Sequence, residues 1–534
     1  LFVYETFQDV RLVGAPPSSI GKYGGDTDNW MWPRHTGDFT LFRVYADKDN
    51  KPAAYSKDNV PYKPKHSLPI SLKGVSQGDF SMIFGYPGST DRYLTSAGIQ
   101  YELEVRQPSY VKLRRDVLDI YEQEMAMSDK VRLQYASKHA GISNYWKYFK
   151  GQQAGLKRLH VYDKKKAIED DLQAWIDKDE ERKKLYSGVL EGFESSYQNL
   201  RDVNKVIIYL SEAIFRIEAV RFSRQFDGLK SQLEAEEVDQ EKVDKTVEAL
   251  KGMLDDHFAD YSKVIDKQVF AAMLEAYYTD LPKENQPEYV VEMVQKYKMD
   301  YKKMAEDFFK KSIFDSKEEV ASFLEKPSAK TIAKDPMYQL MNSAYTHYKE
   351  TIAPAAKEEA EKLQRSERLF VKGLRAMNKD KAYAPDANST MRFTYGQVKD
   401  YYPRDAVKYN YITTAQGILE KEDPNNPEFV VPEKLKTLIQ KKDYGQYANA
   451  EGELVVNFIT NNDITGGNSG SPMINGKGEL IGTAFDGNWE AMSGDIAFET
   501  ELQRTIGVDI RYTLFIIDKF AGAGHLIKEM KLVK

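Results

Sequence analysis

The stretch Thr465-Gly466-Gly467-Asn468-Ser469-Gly470-Ser471-Pro472 decides how the rest of this sequence is interpreted. It follows an apolar segment, residues 454–459, and precedes a hairpin signal built on Asn475-Gly476-Lys477-Gly478, so we predict a tight loop between strands. A nucleophilic serine needs an exposed hydroxyl on such a loop, with backbone N–H groups directed at the developing oxyanion. We therefore predict Ser469 as a nucleophile and the N–H groups of Gly467 and Ser469 as its oxyanion hole. A glycine- and serine-rich hairpin loop without a catalytic role is the alternative.

The form of this loop resembles the nucleophile loop of the chymotrypsin-fold peptidases. One position differs from the trypsin-like members, which carry an aspartate just before the nucleophile that pairs with a newly cut N-terminus. This chain has Asn468 there. We therefore do not expect activation by such an ion pair.

Asp38 is the candidate partner carboxylate. A catalytic triad needs a buried aspartate that holds a histidine tautomer. In the chymotrypsin fold this aspartate begins a strand of alternating apolar residues, and Asp38 precedes such a segment at residues 39–45. A turn residue before a strand is the alternative interpretation.

The catalytic histidine has no good candidate among the seven histidines of the chain, His35, His66, His139, His160, His257, His347 and His525. Only His35 is close to Asp38, and residues three apart on an extended segment point to opposite faces. The first residues have neither an initiator methionine nor the apolar core of a signal peptide. We therefore expect the histidine upstream of Leu1, in an N-terminal part that this chain lacks; His35 in an unusual geometry is the alternative.

Composition changes along the chain predict three segments. Residues 1–96 have the alternation and turns of β-structure, residues 97–392 are rich in Lys, Glu, Gln, Leu and Ala with apolar faces at helical spacing, and residues 393–534 return to strands and turns. We predict a multi-domain β plus α protein. In it, a chymotrypsin-like double β-barrel is split by a large all-helical insertion, and the second β-segment carries the nucleophile.

The bulk properties exclude several functional classes. The chain has 534 residues, 41% hydrophobic and 30% charged, with 76 basic against 82 acidic side chains and no cysteine. This balance does not favour nucleic-acid binding, and we expect no membrane span, no thiolate metal site and no cofactor. The Asp26–Asn29 run lacks the ligand spacing of a calcium loop, so we interpret it as a turn.

Four longer runs carry a closer resemblance: residues 24–39, residues 466–472, Ala484 to Glu490, and Arg511 to Lys519. Together they resemble the bacterial dipeptidyl-peptidase 7 and 11 family over essentially the whole chain, including the helical insertion. The resemblance implies a serine exopeptidase that releases dipeptides from peptides with a free N-terminus. It also implies a base histidine in the N-terminal part, in agreement with the separate argument above.

The resemblance also assigns residues to amine recognition. An ammonium group brings three donors and a positive charge, so it needs acceptors and a carboxylate. Asn29, Asn144 and Asp486 match the family's amine-binding positions, with Trp30 beside them. A simple turn at Asp486 and an ordinary helix-end residue at Asn144 are the alternatives.

Gly487 bears on specificity, because members that cut after Asp or Glu carry an arginine at this position. An uncharged opening there resembles the dipeptidyl-peptidase 7 type and implies a hydrophobic residue before the scissile bond. The resemblance further implies a homodimer and export to the periplasm or cell surface. Two rival functions remain open, a trypsin-like periplasmic endopeptidase and an inactive peptidase-fold binding protein.

Overall fold

The computed structural model describes residues 3–534 and divides into two compact units. A β unit comprises the chain up to Arg92 together with Ala384–Lys534, and a helical unit comprises Tyr93–Tyr383. The boundaries predicted from composition, after residues 96 and 392, fall four and nine residues beyond these. The protein is thus a mixed α and β protein whose sheets are predominantly antiparallel.

The strands belong to the β unit. They are β1 Val10–Gly14, β2 Leu41–Ala46, β3 Val60–Pro61, β4 Ile70–Ser71, β5 Phe80–Gly85, β6 Arg392–Gln397, β7 Tyr401–Arg404, β8 Val407–Tyr409, β9 Ile412–Thr414, β10 Val455–Thr460, β11 Pro472–Ile474, β12 Leu480–Gly487, β13 Thr505–Asp509 and β14 Leu532–Val533. The main sheet follows the order β6-β5-β11-β12-β13-β10-β9, and a separate sheet has the order β1-β2-β3.

The main sheet closes on itself between β6 and β10. A bridge joins Val398 to Thr460, and the Asn461 N–H donates to the carbonyl of Gln397 at 3.0 Å. Phe458 and Met473 fill the interior, and both are fully buried. The bridge and the hydrogen bond hold the end of β10, where the serine loop begins, against the segment that follows β6.

The hairpin predicted after the serine loop is confirmed. Strands β11 and β12 pair antiparallel, and the turn between them closes with a 3.0 Å hydrogen bond from the Gly478 N–H to the carbonyl of Asn475. Gly478 has φ +77°, a conformation that glycine adopts without strain. The asparagine–glycine signal therefore specified the turn locally.

The helices of the helical unit are α2 Ser96–Tyr101, α3 Gln107–Met127, α4 Asp129–Arg158, α5 Val161–Asp177, α6 Glu180–Tyr186, α7 Val189–Glu212, α8 Glu218–Ser223, α9 Asp227–Leu233, α10 Gln240–Ala259, α11 Lys263–Asp280, α12 Glu288–Lys296, α13 Tyr301–Lys311, α14 Lys317–Glu325, α15 Ala329–Lys334, α16 Pro336–His347 and α17 Ala353–Met377. Short helices also flank the strands of the β unit: α1 Ser18–Gly21, α18 Gln416–Glu420, α19 Glu433–Gln440, α20 Ile510–Phe515 and α21 Gly524–Ile527. One large apolar cluster runs from α3 through α16 and a smaller one joins α5, α6, α7 and α17, so the unit has its own core.

Within residues 3–534, no helix combines the length and the apolar character that crossing a membrane requires.

Candidate active site

The serine loop lies between β10 and β11 and is held against the turn that follows β5. The Gly88 N–H donates to the carbonyl of Gly466 at 2.7 Å. Gly467 has φ +104°, and a Cβ there would collide with the carbonyl oxygen of Tyr86. Only glycine therefore allows the loop to pass this close to the neighbouring chain.

Asn468 closes the loop from within. The residue is buried, and its side-chain oxygen accepts the Thr465 N–H at 3.2 Å while its own N–H donates to the carbonyl of Thr465 at 3.1 Å. The backbone carbonyl of Asn468 accepts the Ser471 N–H at 3.0 Å. The loop around Asn468 is thus held by hydrogen bonds of a neutral side chain and of the backbone.

Ser469 is exposed at the tip of this loop. Its hydroxyl has one long contact, 3.5 Å from the carbonyl oxygen of Phe485 on β12. The backbone N–H groups of Gly467 and Ser469 donate to no residue in the part of the chain that the structure describes. An exposed hydroxyl beside two available N–H donors is what a nucleophile and an oxyanion hole require.

Asp38 and Ser469 line one cavity of about 560 Å³. The segment before Asp38 is fixed by Asn457 of β10, whose amide accepts the Thr36 N–H at 2.8 Å and donates to the Thr36 carbonyl at 3.0 Å. The cavity walls raise the pKa of the Asp38 carboxyl by restricting its hydration, Arg34 opposes that rise, and the charge of Asp486 adds to it. Two predicted catalytic residues that are far apart in sequence are thus brought to one site.

His35 does not belong to this cavity. Its ring is buried against the backbone of Gly417, and burial together with Lys421 lowers the pKa of the imidazole to about 3. Of the described residues, no histidine lines the cavity that Asp38 and Ser469 share.

Trp30 and Asp486, two of the residues predicted to bind an amine, are in direct contact. The backbone N–H of Trp30 donates to Asp486 Oδ2 at 3.1 Å, and the backbone N–H of Gly487 donates to Asp486 Oδ1 at 2.9 Å. Asn29 is half-buried and immediately precedes Trp30, which has the left-handed φ of +65°. Asn144 lies half-buried on α4 of the helical unit, and its role in amine binding stays a prediction.

Arg34 is the residue of this site that the sequence analysis missed. Its Nη1 lies 2.6 Å from Asp486 Oδ2, and both side chains are only 8% exposed. Arg34 is part of the quoted run around Trp30, but nothing in that run indicates a partner so far along the chain. A search for a buried cation to balance Asp486 could have identified it.

The turn that carries Asn29 and Trp30 is clamped by Glu428. The backbone N–H of Asp26 donates to Glu428 Oε1 at 2.7 Å, and the Thr27 hydroxyl donates to Oε2 at 2.6 Å. This supports the interpretation of the acidic run as a turn. No cluster of three or more His, Asp or Glu side chains suited to a metal ion occurs among residues 3–534.

Gly487 is buried. The opening predicted at this position from the sequence is not observed, because Ala491 and Trp30 lie beside it. A Cβ on Gly487 would lie 3.0 Å from the Cβ of Ala491 and 3.7 Å from the Trp30 ring. Close packing on this side leaves little room for a larger residue unless Ala491 moves.

A loop serine with two available N–H donors, sharing a cavity with a carboxylate, is the arrangement of a serine peptidase. The chain belongs to the Peptidase S46 family, whose sequence profile matches residues 1–532.

Relatives of two kinds are similar to the chain over its full length. Dipeptidyl-peptidase 7 of Porphyromonas gingivalis is 44% identical over 539 residues, covering 100% of this chain and 74% of the relative. The Asp/Glu-specific dipeptidyl-peptidase of Flavobacterium psychrophilum is 41% identical over 537 residues, with the same two coverages. The family and these relatives confirm the assignment to the serine-type dipeptidyl peptidases.

A solved structure is also similar. Porphyromonas endodontalis DPP11 in complex with the dipeptide Arg-Glu is 38% identical and has a TM-score of 0.89, covering 99% of this chain and 75% of that chain. The mixed α and β architecture with antiparallel sheets agrees with this likeness.

Proposed function

We propose that Ser469 is the nucleophile of a dipeptidyl peptidase that holds the free N-terminus of its substrate at Asp486. The observation that carries the proposal is the spacing along β12: the Ser469 hydroxyl touches the carbonyl of Phe485, and Asp486 is the next residue. Two extended residues span only about 7 Å. An amine anchored beside Asp486 therefore leaves room for two residues before the bond that Ser469 attacks.

The roles follow from the chemistry of a serine triad. The Ser469 oxygen attacks the carbonyl carbon of the second residue, and the N–H groups of Gly467 and Ser469 stabilise the resulting oxyanion. A histidine accepts the serine proton and delivers it to the departing peptide amine, while Asp38 holds the histidine tautomer. Because no histidine of residues 3–534 lines the cavity, we assign the base to a segment of the same protein outside residues 1–534. Water then releases the dipeptide.

The proposed preference is a hydrophobic residue before the scissile bond. Gly487 brings no charge to a position where acid-specific members of the family carry arginine, and its neighbours Ala491 and Trp30 are apolar on that side. An acidic side chain there would lose hydration without gaining a counter-charge, which is costly for a buried group. A hydrophobic side chain that packs against this apolar surface, and not into the filled space at Gly487 itself, would instead gain free energy, about 1.5–3 kcal/mol for full burial.

Architecture, assembly and location complete the proposal. The closed sheet around Phe458 forms one barrel of a chymotrypsin-like double barrel, to which the β1-β2-β3 sheet contributes the second, with the helical unit inserted after β5. The family resemblance supports a homodimer exported to the periplasm or cell surface. Light scattering of the purified protein and fractionation of the source cells test these two points.

Paired peptides test the proposed reaction. The complete protein is incubated with a peptide that has a free N-terminus and with its N-acetylated twin, and the products are identified by mass spectrometry. We expect successive dipeptides from the free peptide and almost nothing from the acetylated one. Internal fragments, or equal cleavage of both peptides, would favour the endopeptidase instead.

A further inference from the structure

Arg34 is fixed from three sides at the base of the proposed amine pocket. Besides the 2.6 Å ion pair with Asp486, Nη1 donates to the backbone carbonyl of Asp28 at 2.8 Å, and Nε donates to the hydroxyl of Thr36 at 3.0 Å. A guanidinium is rigid and planar, so these bonds together define its orientation. Arg34 has no freedom to act as a mobile surface charge.

The hydrogen bonds to Asp486 leave one acceptor position on the carboxylate. Among residues 3–534, Oδ2 accepts from Arg34 and from the backbone N–H of Trp30, whereas Oδ1 accepts only from the backbone N–H of Gly487. Because a carboxylate oxygen can accept two hydrogen bonds, Oδ1 retains one position for a further donor. The direction of that position is set by the bonds that hold the rest of the carboxylate.

The charges around the pocket explain why it would still attract a cation. Asp28 is paired with Lys421 at 2.5 Å, and the neighbouring His35 is neutral at ordinary pH because burial lowers its imidazole pKa to about 3. Arg34 therefore faces two carboxylates, Asp486 in direct contact and Asp38 at longer range. Arg34 lowers the pKa of Asp38, and the charge of Asp486 raises it. One guanidinium does not balance two carboxylates, and a substrate ammonium would supply the second positive charge.

We propose that Arg34 is a positioning residue of the amine pocket, which supplies the counter-charge of Asp486 in the free enzyme and directs the remaining acceptor of this carboxylate at the substrate's ammonium group. The inference rests on the proposed function, in which Asp486 binds the N-terminal amine. Arg34 itself touches no substrate.

The test compares Arg34→Met and Arg34→Lys with the native enzyme in the complete protein. The measured quantity is the native-to-variant ratio of kcat/KM for a free-amine dipeptidyl substrate at each pH between 5.5 and 9, so that ionisation of the substrate cancels. Without a cation, the buried carboxylate binds a proton more readily and no longer attracts ammonium. For Arg34→Met we expect the native-to-variant ratio of kcat/KM to be about 30 or more at pH 6. The loss should come mainly from a higher KM, and the ratio should decrease as the pH rises.

Two further variants separate charge from structure. Arg34→Lys keeps the positive charge. Toward low pH, its kcat/KM should therefore fall in parallel with that of the native enzyme, even if its activity is lower at every pH. Thr36→Val removes the Nε acceptor without changing any charge, so it should lower activity at every pH by the same factor. Unfolding temperatures show whether each variant is folded at the assay temperature. If Arg34→Met is unfolded there, the pH dependence of Arg34→Lys tests the inference.

Two results would overturn the inference. One is a native-to-variant ratio of kcat/KM that does not change with pH for Arg34→Met. The other is a ratio that rises toward low pH for folded Arg34→Lys. Failure of the proposed function has a different signature, because the native enzyme would then cleave N-acetylated substrate as well as free substrate, whatever the Arg34 variants do.

Discussion

Replacing Gly467 by alanine should damage catalysis more than it damages folding. The left-handed φ of +104° is strained for alanine, and the added methyl would collide with the carbonyl oxygen of Tyr86, so the loop must shift. The strain amounts to about 1–3 kcal/mol. Moving one N–H donor out of the oxyanion hole costs about 10²–10³ in kcat. We therefore expect kcat to fall by that factor with little change in KM.

The adjacent Gly466 offers a matched control, because a Cβ there would have no neighbour within 4 Å. Gly466→Ala should leave the free energy of unfolding within about 0.5 kcal/mol and leave turnover nearly unchanged. Steady-state kinetics on a dipeptidyl substrate and thermal unfolding of both variants provide the comparison. Native turnover by folded Gly467→Ala, or equal losses in the two variants, would refute the assignment of this loop as the oxyanion hole.

Two further predictions concern the specificity position and the helical unit. Gly487→Arg combined with Ala491→Gly, which relieves the 3.0 Å contact, should raise the kcat/KM ratio for Asp over Leu substrates by about ten-fold or more; an unchanged ratio in a folded double variant would contradict the proposed pocket. In the helical unit, burial and the charge of Glu218 raise the pKa of Asp266, which accepts two backbone N–H groups at the start of α8. Because the folded state binds this proton more tightly than the unfolded state, its contribution to stability is lost as the pH rises from about 4 toward neutrality. Glu218→Gln should flatten this dependence of the unfolding temperature, and an identical slope in both proteins would exclude Asp266 as its source.

Short-range sequence patterns predicted those parts of the protein that depend on short-range chemistry. The Asn475–Gly478 turn specifies its own hairpin, and the serine loop contains in eight residues the glycine, the asparagine and the hydroxyl that define its shape. Apolar residues at helical spacing indicate less about where a helix ends, because this spacing continues from Ile207 to Ile217 whereas α7 ends at Glu212. The next helix, α8, begins at Glu218, where Asp266 of α11 accepts the backbone N–H groups of Glu218 and Ala219.

The environment of the amine pocket could not be predicted in the same way. The Arg34–Asp486 pair joins residues 452 positions apart, so no local pattern indicates it. Similarly, the absence of a side chain at Gly487 suggested open space, but the space is occupied by Ala491 and the Trp30 ring. Packing between distant segments, and not residue type, decides both features.

Covalent labelling tests the central assignment most directly. Diisopropyl fluorophosphate reacts with an activated serine, whose oxygen displaces fluoride from phosphorus. The complete protein is treated until activity is lost, digested, and mapped by mass spectrometry. We predict one phosphorylated site, Ser469, whose labelling parallels the loss of activity and is absent from Ser469→Ala. An adduct on another residue that accounts for the inactivation, or full inactivation with Ser469 unmodified, would contradict the account.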